Sequence, residues 1–239
     1  MKRVLSAAAA LIVLGVFPAV ASTGASPRAN LSAPTRAQIV ATSFRAANAQ
    51  KSVTTDISTT VLGMSVTGTT QSGHTSGAAS VNVNGHTGQI VDVGGVLYTK
   101  FDATLVNFEF HSNVSSVANK WISITRASRF YPSLALGVVL PSVLQELTPA
   151  GPLRATSATW NGKRVIALSG TVNATLGVPG GTQTLLVSRT APYLPLEGGV
   201  LAVTSGISLD ITIRLKGWGV ALHVFAPKVF TPISKTALK

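Results

Sequence analysis

Gln89-Ile90-Val91-Asp92-Val93-Gly94-Gly95-Val96-Leu97-Tyr98-Thr99-Lys100-Phe101 is the stretch on which the fold turns. Two runs rich in β-branched and aromatic residues flank a Gly-Gly pair. Glycine takes φ > 0 at both central turn positions without steric cost, so the run predicts a tight antiparallel hairpin. Further on, Asn119-Lys120-Trp121-Ile122-Ser123-Ile124 reads as another short strand, opening on an amphipathic aromatic.

Outward from this hairpin the same grammar repeats. Val53, Thr55, Ile57, Thr59 and Val61 alternate with polar partners, the period of a strand with one buried face. Gly63 interrupts, and Met64 and Val66 continue. A strand over Ala79–Asn84 leads into Gln89–Val93, with Asn84-Gly85 as a turn dipeptide. Ahead of the strands, Thr35-Arg36-Ala37-Gln38 forms a capping box. Ile39, Val40, Ser43, Phe44 and Ala47 then fall at helical spacing, which predicts a helix from about Arg36 to about Asn48.

Downstream, 102–118 mixes Leu105, Val106, Phe108 and Phe110 with polar residues and predicts a mobile connecting loop with at most a helical turn. The run 127–147 is the most apolar part after the N-terminal segment. Pro141 should end one helix there and start the next, where its missing N–H costs nothing. Hairpins are predicted for Ala155–Trp160 with Arg164–Ser169 about Asn161-Gly162-Lys163, and for Val172–Gly177 with Thr182–Ser188 about Pro179-Gly180-Gly181. Tyr193-Leu194-Pro195-Leu196 and Gly198-Gly199 mark another turn, and Ile207–Leu215 and Val220–Phe225 flank Gly217-Trp218-Gly219. The sum is an α+β fold: about eleven antiparallel strands in a strongly curved sheet, without long parallel crossovers.

Composition narrows the function classes. The chain has 239 residues, 46% hydrophobic and 11% charged, with a mean hydropathy of +0.40, so it can bury a core. Lys2 and Arg3, the apolar run Ala7–Val16 and Ala19-Val20-Ala21 have the layout of a signal peptide over 1–21. A Ser/Ala/Gly/Pro-rich leader over 22–34 precedes a single domain over 35–239. The expected product is a secreted or periplasmic envelope protein, soluble once cleaved. With no cysteine, it has no disulfide, no thiolate chemistry and no acylated N-terminal cysteine to anchor it. The formal charge of +12, roughly +10 without the signal, attracts anionic surfaces. Export and the dispersal of the basic residues argue against nucleic acid.

Groups for catalysis are few. Asp56, Asp92, Asp102, Glu109, Glu146, Glu197 and Asp210 are scattered, and His74, His86, His111 and His223 lack metal-ligand spacing. If 102–118 is extended, Glu109 and His111 share a face, yet no nucleophile accompanies them. Phosphate-cradling loops and a Gly-x-Ser-x-Gly elbow are also missing. The reading is therefore not an enzyme, with no catalytic residue, no cofactor and no metal.

What remains is an apolar surplus. Helices apolar on more than one side are either covered twice by protein or face something greasy. A curved sheet roofed by them could hold an apolar ligand. The pattern Val93-Gly94-Gly95-Val96-Leu97-Tyr98-Thr99-Lys100 with Asn119-Lys120-Trp121-Ile122 resembles the LppX/LprG lipoproteins of actinobacteria, relatives in fold of the lipid carrier LolA. Trp160-Asn161-Gly162-Lys163, Pro192-Tyr193-Leu194-Pro195 and Gly217-Trp218-Gly219 follow in the order of that family. The resemblance implies a half-barrel with helices across its concave opening and a cavity for the acyl chains of a lipid, glycolipid or lipoglycan. It also implies transport or presentation of that ligand in the cell envelope. The missing lipobox cysteine departs from the family. Candidate cavity residues are Ile90, Tyr98, Phe101, Trp121 and Ile122 in the wall and Phe130, Leu134, Val138, Leu140, Val143 and Leu144 in the lid, with plain core packing the alternative for each. Arg126 and Arg129 flank the lid and could meet an anionic headgroup. The expected partner is a lipid or glycolipid bound by a monomer, with peripheral contact to anionic membrane or cell wall. The alternative is a non-catalytic module that binds such surfaces through charge alone.

Overall fold

The computed structural model describes residues 35–61, 63–111, 115–173, 180–204 and 207–236. Helix α1 (Arg36–Asn48) begins at the expected capping box: the Thr35 hydroxyl accepts from the Gln38 amide, and the Gln38 side chain accepts from the Thr35 amide at 2.7 Å. Five strands follow as a meander: β1 (Ser52–Val61), β2 (Met64–Gly73), β3 (Ser76–Val83), β4 (His86–Val93) and β5 (Val96–Phe101). Asn84-Gly85 and Gly94-Gly95 all have positive φ at their turns, so the two tight hairpins form where glycine and asparagine permit them.

Where a loop is expected after β5, the chain forms helix α2 (Ala103–Phe110). Asp102 supplies the reason, since one of its carboxylate oxygens accepts the Leu105 amide at 2.9 Å as an N-cap. Glu109 and His111 therefore do not share a strand face, and His111 ends the helix in the left-handed conformation. After β6 (Ile122–Thr125) come two short helices, α3 (Tyr131–Ala135) and α4 (Leu140–Glu146), with Pro141 in the first turn of α4 as its missing N–H requires. The second meander is β7 (Ala150–Trp160), β8 (Lys163–Thr171), β9 (Thr182–Ser188), β10 (Pro195–Thr204) and β11 (Ile207–Lys216).

With a two-residue strand β12 (Thr231–Pro232) near the end of the chain, the strands of the described residues join one 12-stranded sheet in the order β12-β6-β5-β4-β3-β2-β1-β11-β10-β9-β8-β7. The two meanders meet where β1 pairs antiparallel with β11, and the sheet does not close. The helices lie on its concave side, as in the expected half-barrel.

Three local expectations differ. Gly198-Gly199 lies inside β10 and makes no turn. Gly198 leaves room for Leu147, the residue that caps α4, because a Cβ there would sit 2.1 Å from its side chain. The strand expected over Val172–Gly177 does not include Val172 or Asn173, and its remaining residues lie outside the described ones. Val220–Phe225 forms no hairpin with β11, because β1 and β10 already occupy both edges of that strand. Instead 217–230 crosses the outer face as an irregular strap. It is held by the Gly219 amide on the Ser52 carbonyl and by the Trp218 indole on the Pro195 carbonyl, and it ends in β12 (Thr231–Pro232), parallel to β6.

Two apolar clusters fill the concave side. One joins α1 and α4 to β1 and β8–β11 around Leu140, Leu144, Leu147, Leu168, Leu185 and Ile211. The other joins α2 and α3 to β4–β6 around Leu97, Phe101, Phe110, Ile122, Ile124 and Leu134.

Candidate functional site

The inner face is fixed by register. Paired residues share a face, so Ile57, Gly68, Val81, Gly88 and Phe101 form one row across β1 to β5. Two of its five members are glycine. At Gly88 a Cβ would lie 2.6 Å from the Phe101 ring, and at Gly77 one would lie 1.9 Å from the Val138 carbonyl oxygen. Glycine thus lets the link between α3 and α4 rest directly on β3 and lets the Phe101 ring lie flat on the sheet.

Between this face and the helices lies a cavity of about 130 Å³. Its floor is Ile57, Val66, Thr70, Ala79, Val81 and Ile90; its roof is Leu105, Phe108 and Glu109 of α2 with Leu134, Leu136, Gly137 and Val138, and Glu146 of α4. Met64, Phe108 and Leu136 are half-buried and border its mouth. A cavity near 150 Å³ accommodates a benzene-sized molecule, so in this conformation the space takes a fragment of about that size.

Of the candidate residues, Ile90, Phe101, Leu134 and Val138 line the cavity. Ile122 belongs to the neighbouring cluster without reaching the space. Leu140, Val143 and Leu144 are buried against the other half of the sheet. Phe130 is half-buried and packs edge-on against Phe110, centroids 5.0 Å apart. Tyr98 points the opposite way from Leu97, onto the outer face, where Phe230 of the strap meets it edge-on at 5.0 Å. Trp121 precedes β6, and its carbonyl accepts the Thr231 amide.

Neither candidate headgroup arginine lines the cavity. Arg126 borders a separate surface pocket with Asp92, Gly95 and Tyr131. Arg129 stacks over the Phe130 ring, 4.7 Å from its centroid. The ionisable groups that do line the cavity are Glu109 and Glu146. Burial pushes the Glu146 carboxyl up to about 8 and the Glu109 carboxyl up to about 7, with the Gly137 amide pulling Glu146 partly back. Sequence reading passed over Glu146 as one scattered acid. The signal was its place among Leu140, Val143, Leu144 and Leu147, a lone carboxylate on the apolar face of its helix.

An open, curved antiparallel sheet with helices laid on its concave face defines a half-barrel class. Among solved structures, the chain is similar to the lipoprotein LppX of Mycobacterium tuberculosis, with a TM-score of 0.54 at 14% identity over 81% of this chain and 100% of LppX. It is also similar to LprF of Mycobacterium bovis, with a TM-score of 0.51 at 16% identity over 80% of this chain and 96% of LprF. These likenesses establish the fold. No protein-family model matches the chain, and no curated protein matches it.

Proposed function

We propose that the protein is an exported, non-catalytic carrier that holds part of the acyl portion of a lipid, glycolipid or lipoglycan for transport or presentation in the cell envelope. The observation that carries this reading is the apolar cavity between the inner face of β1–β5 and the helices α2–α4. The shared fold with LppX and LprF supports it, and no helix among the described residues is long and apolar enough to cross a membrane. Each methylene moved from water contributes ~0.8 kcal/mol, so a fragment of about six carbons gains roughly 5 kcal/mol before ordering costs. Longer chains protrude through the mouth or part the link between α3 and α4. Native mass spectrometry of the purified chain should show a bound acyl lipid that organic extraction removes. An apo mass together with no uptake of labelled acyl lipid overturns the reading.

A second reading rests on a different observation. The strap exposes Phe225, Val229 and Phe230 beside Lys228 on the outer face of a strongly basic chain. That combination fits an anionic membrane, with apolar tips entering the interface and cations meeting headgroups. Binding to anionic vesicles should then weaken as salt shortens the Debye length. Binding that is absent, or indifferent to salt, removes it.

A further inference from the structure

Glu146 stands out among the buried groups. It is only 8% exposed, and its Oε1 has no hydrogen-bond partner among the described residues. The Gly137 amide serves the carboxyl on one side. Its own backbone is well held: the Gln183 side-chain amide donates to the Glu146 carbonyl at 2.6 Å, while the Gln183 oxygen accepts the Asn173 amide at 3.0 Å. These bonds fix the backbone from which the Glu146 side chain projects, and that residue lines the cavity.

Among the described residues, no cation lines the cavity beside it. The other ionisable liner is an acid, Glu109. Helix α1, packed on α4, offers Arg36, which donates to the Leu153 carbonyl, and Arg45, which is exposed on its last turn. Strand β2, also against α4, has no ionisable residue. A carboxyl in apolar surroundings without a cation stays protonated, because an unpaired buried charge costs far more than a neutral acid. A protonated carboxyl has one O–H to donate. Leaving that donor unmet in an apolar cavity is unfavourable, and a ligand acceptor relieves it.

From this geometry we infer that Glu146 selects an uncharged apolar ligand carrying a carbonyl acceptor within its greasy body, such as an ester, over one with a charged head. A phosphate or carboxylate head finds two acids and no cation in the cavity. The inference rests on the carrier reading and specifies its ligand chemistry.

The test compares probes built on an eight-carbon chain by displacement of an environment-sensitive acyl dye from the purified full chain at pH 6.5: methyl octanoate, n-octane, octanoate and octylamine. Methyl octanoate should bind about tenfold more tightly than octane or octanoate. E146L should abolish that ester preference. E146Q, whose amide N–H also donates, should retain most of the preference, which a purely structural role for Glu146 would not explain. Should E146L fail to fold, the E146Q result and the wild-type ester-to-octane ratio still decide. Equal binding of ester and octane, or tighter binding of octylamine, overturns the ester assignment and leaves the carrier reading intact. Displacement of the dye by none of the probes overturns both.

Discussion

The two halves of the concave side share one sheet and are filled differently. Against β8–β11, helices α1 and α4 leave a void of about 10 Å³ between Leu147, Gln183, Gly198 and Ile211, too small to matter. Against β1–β5, α2 and the link from α3 to α4 leave about 130 Å³. The same apolar run is thus a plug at its C-terminal end and a roof before it. Hydrophobicity alone says that such a run must be covered; which part covers protein and which part covers space is decided by the facing side chains. Leucine, isoleucine and valine fill the inner face of β9–β11, whereas glycine, alanine, threonine and valine line β2 and β3.

The largest effect that could break this contrast lies in the plug. Leu168→Ala, at a fully buried position, should destabilise the protein by about 3–4 kcal/mol in urea unfolding, since the packed surroundings collapse only partly. A cost under about 1 kcal/mol would mean that this half is loosely filled as well. Overpacking sharpens the comparison. Ala202→Leu, in the plug, should cost about 1–3 kcal/mol. Val81→Phe, on the cavity floor, should cost under about 1 kcal/mol and reduce uptake of an acyl probe at least tenfold. Equal costs would show the two halves to be equally full.

The smallest expected effect is a pH dependence. Unfolded, Glu146 and Glu109 titrate near their ordinary value of 4.5; folded, burial raises them to about 8 and about 7. Between those values the native state holds more protons than the unfolded chain. Stability is therefore greatest below pH 4.5 on this account and declines as pH rises towards 8. Water reaching the half-buried mouth softens the penalty, so the fall in Tm between pH 5 and 8 should be about 3 °C. E146Q should remove most of it, and a slope that survives in E146Q assigns the effect elsewhere.

Features written in short stretches of chain were legible in the sequence. The capping box at Thr35 and Gln38, the hairpins at Asn84-Gly85, Gly94-Gly95 and Asn161-Gly162, and the helix start at Pro141 each depend on a few neighbouring residues. Helix α2 was missed because its determinant, the Asp102 cap, sits next to a segment whose periodicity is weak. Site residues were harder for a reason of distance. Whether Leu97 or Tyr98 faces inward depends on the register of β4, β5 and β6 together. The strap that receives Tyr98 comes from more than a hundred positions away in sequence. Most of the floor, from Ile57 to Val83, lies in strands whose alternation announced a buried face without saying what that face would meet.

The two borders of the sheet are finished in unlike ways. On one side β12, only two residues long, caps β6. On the other, β7 contains Pro152, shifts register between Ala150 and Arg154, and has its Leu153 carbonyl taken by Arg36. A newcomer strand would find one margin already clasped by the chain's own tail and the other lacking an amide, bent and partly occupied. An uncapped half-barrel invites zippering into larger assemblies, and at both margins this sheet has little free backbone for an added strand to grip.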